Sequence, residues 1–117
     1  MNNSTETDKA LDAVRASVRK LEVVDERDGV KITRIILEPG EEVPWHRHTE
    51  VTDTFYPVVG PLTIETKAPD GVVEISSGSV FQTEVGQPHR VSNGSRHQVQ
   101  FLLIQGGGAF DFVAMEA

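Results

Sequence analysis

Gly40-Glu-Glu-Val-Pro-Trp-His-Arg-His-Thr-Glu-Val-Thr-Asp-Thr-Phe-Tyr-Pro-Val-Val-Gly60 is the stretch that decides the fold. His46 and His48 sit one residue apart, five residues beyond a glycine. Asp53 follows after four residues, and Gly60 closes the run six residues later. Side chains alternate on a strand, so both histidines project to one face while Trp45 and Arg47 project to the other. Two imidazoles on one face with a carboxylate arriving nearby make a partial metal shell.

Outward from this stretch the chain reads as β. Val30–Leu37 is rich in β-branched residues, and Asp28-Gly29 before it is a tight-turn dipeptide, so a hairpin is expected across 25–29. Strands are expected at 44–48, 52–59, 62–67, 72–75, 80–81, 87–91, 98–105 and 109–113, separated by Gly, Pro and Asn turns. Pro57 demands an edge, a bulge or an unpaired N–H within its strand. Many short strands at this spacing predict an antiparallel sandwich or barrel. Upstream, Leu11, Val14, Val18 and Leu21 form a stripe of helical period, predicting a short helix to about Ala16 after a polar tail. The domain reading is a tail and helix over 1–16 and a barrel over 17–117.

At 117 residues the chain makes one domain. It has no cysteine, which excludes disulfides, thiolate zinc sites and cysteine nucleophiles. Its net charge of −7 argues against nucleic acid, and no apolar run is long enough to span a membrane. The start, MNNSTETDKA, has no apolar core of a secretory signal, so a cytoplasmic location is expected.

A second stretch, Gly78 to Asn93, places Gly86, His89 and Asn93 at fixed offsets. Together the two stretches resemble the paired motifs of the cupin superfamily over about residues 30 to 113. In the first motif Gly40, His46, His48 and Gly60 fit, with Asp53 where the family usually has Glu. In the second Gly78, Gly86, His89 and Asn93 fit, with Glu84 where it usually has Pro. The resemblance implies an all-β double-stranded β-helix (jelly-roll) barrel that brings His46, His48 and His89 to one ion, with Asp53 as candidate fourth ligand. Neutral imidazoles and a carboxylate suit one divalent transition metal ion (Fe, Mn, Ni, Zn or Cu) and leave a position for substrate. Asp is one methylene shorter than Glu. It therefore binds with a shifted backbone or through water, or the site is three-histidine.

Other residues have competing readings. Tyr56, Glu50 and Glu84 are the candidate proton-transfer groups; Glu50 shares the histidine face if the strand continues. Gln98 and Gln100 share a strand face and line a pocket if that face is inward; if outward, they are solvent-facing. Phe55, Tyr56, Phe81, Phe101 and Phe112 are expected in the core, His97 on the surface, and Asn93 in a turn. The glycines at 40, 60, 78 and 86 are expected to supply positive φ.

Two function classes follow. One is a metal-dependent enzyme on a small organic molecule, of dioxygenase, isomerase or lyase type. The other is a non-catalytic small-molecule-binding or sensor module. The partners expected are a small molecule and a second copy of the chain: small cupins often dimerise, and the N-terminal stripe, without an obvious partner in its own chain, is expected to contribute to the interface.

Overall fold

The computed structural model describes residues 20–116. The expected tail, helix and stripe residues Leu11, Val14 and Val18 lie outside them. Among the described residues ten strands run in order: β1 (Lys20–Arg27), β2 (Val30–Leu37), β3 (Glu42–Arg47), β4 (Thr52–Val59), β5 (Leu62–Thr66), β6 (Gly71–Ile75), β7 (Phe81–Gln82), β8 (His89–Ser92), β9 (Val99–Gly106) and β10 (Val113–Ala114). All pairings are antiparallel and build two five-stranded sheets, β1-β2-β9-β4-β7 and β10-β3-β8-β5-β6.

The β1–β2 hairpin closes on Asp28-Gly29, with φ of 52° and 76°. Two positive φ values in a two-residue loop match the right-handed twist of the strands it joins. Pro57 sits at a bulge: the β4–β9 register shifts between Pro57 and Val59. The missing N–H is thereby placed where the ladder is already broken. Residues 109–112 are not a strand; pairing begins only at Val113 and covers two residues opposite Arg47 and His46. The apolar run at 109–113 predicted a strand, but Phe110 and Phe112 turn inward against the histidines.

Odd-numbered residues of β2 and β9, and of β4 as far as its bulge, face inward. Ile35, Leu37, Phe55, Val99 and Phe101 pack there against Val43, Leu62, Ile64, Ile75, Val91 and Phe112 from the other sheet. Tyr56 breaks the core expectation. It is 40% exposed because it follows Phe55, whose side chain takes the inner face.

Three of the four motif glycines have the expected backbone: Gly40, Gly78 and Gly86 have φ near +80°. Gly60 is a correction, because its φ is not positive. A Cβ there would lie 2.9 Å from the Ile75 carbonyl oxygen, so close approach of the neighbouring chain is what excludes a side chain.

Candidate metal centre

β3 delivers His46 inward, and His48 follows one residue past the strand end; each is 3% exposed. Asp53 enters from β4 and His89 from the start of β8, both fully enclosed. One ligand atom from each of these four residues lies within 4.8 Å of the other three. The Asp53 Oδ2 atom is 2.9 Å from Nε2 of His48, 2.9 Å from Nε2 of His89 and 3.9 Å from Nε2 of His46.

The other ring nitrogen of each histidine is committed. His46 Nδ1 donates to the Pro44 carbonyl at 2.7 Å, His48 Nδ1 to the Asp111 carbonyl at 2.6 Å, and His89 Nδ1 to the Gln87 carbonyl at 2.9 Å. A carbonyl only accepts, so each Nδ1 carries the hydrogen and each neutral ring presents a lone pair at Nε2. Three lone pairs and a carboxylate oxygen then converge. They repel one another unless a cation, a proton or a metal ion, stands among them.

The shifts in proton affinity follow from the same contacts. Burial lowers the pKa of His46 to about 4, against the opposing pull of the Asp53 carboxylate, which accepts from the protonated ring. Burial also disfavours charge on His48. There the hydrogen bond and charge of Asp53, with the Asp111 carbonyl, outweigh it and raise the pKa. Burial would push Asp53 up, yet the histidines gathered around its carboxylate, which donate to it whenever an Nε2 carries a proton, hold it well below the usual carboxylate range.

The second motif fixes the first. Thr83 N donates to the Asp53 carbonyl at 2.9 Å, its hydroxyl accepts from Asp53 N, and Gly86 N donates to the His48 carbonyl at 2.8 Å. Asn93 is a buried latch. It donates to the Leu37 and His97 carbonyls and accepts from Ser95, holding the turn that follows β8. His97 is exposed, as expected.

The centre opens on a narrow cavity of about 50 Å³, room for roughly four water molecules. Its wall is mainly apolar, with Thr33, Gln105 and Lys31 the polar groups beyond the cluster. Phe112 stacks on His46 at 4.3 Å between centroids.

The candidate proton-transfer groups do not reach it. Tyr56 points outward. Glu50 lies exposed in a bend because β3 ends at Arg47, and its carboxylate accepts from Ala109 N. Glu84 is exposed in the turn closed by Gln87, away from the cavity wall. Gln98 and Gln100 face outward, Gln98 bonding Glu38 at 2.8 Å, because Val99 and Phe101 hold the inner face of β9. The inward glutamine is Gln105, 4% exposed, whose Nε2 donates to Asp53 Oδ1 at 2.8 Å. The signal that marks it is parity, since it shares the face of Val99, Phe101 and Leu103.

Similarity to known proteins agrees with this architecture. The Cupin domain family model matches residues 33–105. A double-stranded β-helix protein of Klebsiella pneumoniae subsp. pneumoniae MGH 78578 superposes with a TM-score of 0.73 at 22% identity, covering 88% of this chain and 95% of that one. A cupin superfamily protein of Desulfitobacterium hafniense DCB-2 gives 0.66 at 16% identity, covering 76% and 77%. A recombinant oxalate oxidase in complex with glycolate gives 0.67 at 18% identity, covering 74% of this chain but 46% of that one. Among curated proteins none matches the sequence. The family match, the two antiparallel sheets and the buried His-His-Asp-His group together place the chain in the cupin family.

Proposed function

We propose that this cupin is a metal-dependent enzyme acting on a small organic molecule, with one divalent transition metal ion on His46, His48, His89 and Asp53. The observation that carries the reading is the convergence of three Nε2 atoms on Asp53 Oδ2 while every Nδ1 is held by a backbone carbonyl. When bound, the ion supplies Lewis acidity and an open coordination position. The chain's own contribution is to fix the ring orientations, hold Asp53 through Gln105 and wall off water with Phe110 and Phe112.

Of the reaction types that the resemblance admits, dioxygenation fits this lining best. Among the described residues of the cavity wall, Lys31 is the one titratable side chain outside the cluster. Isomerase and lyase chemistry ordinarily asks for a carboxylate or tyrosine that moves a substrate proton. The narrow, apolar chamber also supports a second reading, a non-catalytic small-molecule-binding module.

Elemental analysis of untagged protein beside His48→Ala tests the centre. About one transition metal per chain, lost in the variant, is the expected result, with iron favouring oxygen chemistry. A wild-type chain that neither carries nor takes up metal overturns the reading.

A homodimer belongs to the same proposal. What supports it is the outer face of the β1-β2-β9-β4-β7 sheet, where Ile32, Ile36, Leu102 and Ile104 are half-buried and Tyr56 and Val58 exposed. A monomeric mass by light scattering at micromolar concentration would exclude it.

A further inference from the structure

Three inward-facing side chains form a row across the middle of one sheet. Lys31 on β2 lies opposite Gln105 on β9, and Gln105 lies opposite Asp53 on β4. Two strand spacings, about 10 Å, separate the backbone at the ends of the row. Asp53 belongs to the metal cluster, Gln105 bonds it, and Lys31 stands at the other end of the cavity wall.

Lys31 is unusual for its position. It shares the inner face of Thr33, Ile35 and Leu37, where a strand normally carries apolar groups. Among the described residues it makes no ion pair. Glu26, opposite it on β1, does not bond it, and its contact is with the face of Phe110, 4.2 Å from Nζ to the ring centroid. The Gln105 amide nitrogen is taken by Asp53, and its oxygen has no partner among the described residues. The cavity therefore offers one cation, the free amide oxygen of Gln105, the Thr33 hydroxyl and an otherwise apolar wall between the rim and the metal ligands.

We propose that Lys31 determines substrate charge, and that the molecule this centre takes is a small organic monocarboxylate. The inference rests on the metal-centre reading above and extends it to the substrate class. A single ammonium matches one unit of negative charge. A phosphate dianion needs more donors than one lysine provides, and the apolar wall favours a ligand with a carbon skeleton. The cavity volume limits that ligand to a few heavy atoms. The need for a local cation is sharpened by the net charge of −7, which opposes the approach of any anion.

The test uses the zinc-loaded full chain, with zinc content measured for each preparation and binding followed by NMR. Propionate is compared with its neutral isostere propionamide and with inorganic phosphate, in wild type, Lys31→Met and Lys31→Arg. Wild type is expected to prefer propionate over propionamide by roughly tenfold or more. Lys31→Met loses that margin at unchanged zinc content and Lys31→Arg keeps most of it. Because any carboxylate also has affinity for zinc, the difference between the two variants is the decisive reading. An equal preference in Lys31→Met, or phosphate binding as well as propionate, overturns the substrate class while leaving the metal centre standing. Protein that takes up no zinc overturns the centre itself. Melting temperatures of the three proteins separate a purely structural role: if Lys31→Met only lowers stability and its propionate margin survives, Lys31 is a strut for Phe110.

Discussion

Gln105 and Asp53 face each other across β9 and β4, and the 2.8 Å bond between them leaves Asp53 Oδ2 pointing at the histidines. A carboxylate shorter than the family's usual glutamate needs its rotamer fixed from behind, and the glutamine amide does that. Gln105→Leu is expected to fold normally and to bind metal about 10- to 100-fold more weakly, the usual cost of losing such a support. Competition with a chromogenic chelator measures it. Unchanged affinity would show that Asp53 is held by its own backbone contacts with Thr83 alone.

Metal removal is expected to lower thermal stability. A ligand present at about 100 times its dissociation constant contributes about 2.7 kcal/mol to the folded state. In a domain of this size that amounts to a melting temperature about 10 °C lower after chelation, recovered on adding metal back. Calorimetry with and without chelator checks the size, and His48→Ala should show no response to either.

The metal-free protein should show opposed histidine titrations. His46, its pKa lowered to about 4 by burial, stays neutral through the neutral range. The unfolded chain takes up that proton first, so His46's contribution to stability falls as pH drops from about 6.5 towards 4. His48 behaves oppositely: its contribution is full below the unfolded value and is lost as pH rises through its higher folded pKa. Proton NMR of the ring resonances distinguishes the two. Coincident titrations would mean that the rings do not share Asp53 as described.

Gly60→Ala is expected to cost about 2 kcal/mol, because the new methyl meets the backbone of residues 75 to 77 and not a flexible side chain. Chemical denaturation measures the loss. Gly86→Ala also destabilises, but through its left-handed backbone, with open space around the missing side chain.

Much of this could be read from the chain. The H-x-H alternation and the Asp28-Gly29 hairpin follow from strand period and turn chemistry, Pro57 signalled an irregularity that is in fact a bulge, and the resemblance to the paired cupin motifs brought His89 to His46. What escaped was mostly inside-versus-outside parity. Phe55 and Phe101 are the large apolar anchors of β4 and β9. Once they are set inward, Tyr56, Gln98 and Gln100 must face out and Gln105 must face in. Glu50 escaped for another reason: alternation holds only while the strand lasts, and β3 stops at Arg47. Glu84 follows a turn whose path no local pattern specifies.

The four side chains of the candidate metal centre come from both sheets: His46 and His89 from strands of one, His48 from just beyond β3, and Asp53 from the other. In a chain without cysteine, an ion seated among them acts as a removable cross-link, closing the segment from His48 to His89 into a loop. Separating the sheets then requires the ion to leave. With an ion bound as proposed, the lifetime of the folded molecule would be tied to metal dissociation, so two preparations of equal composition but different metal loading would age at different rates.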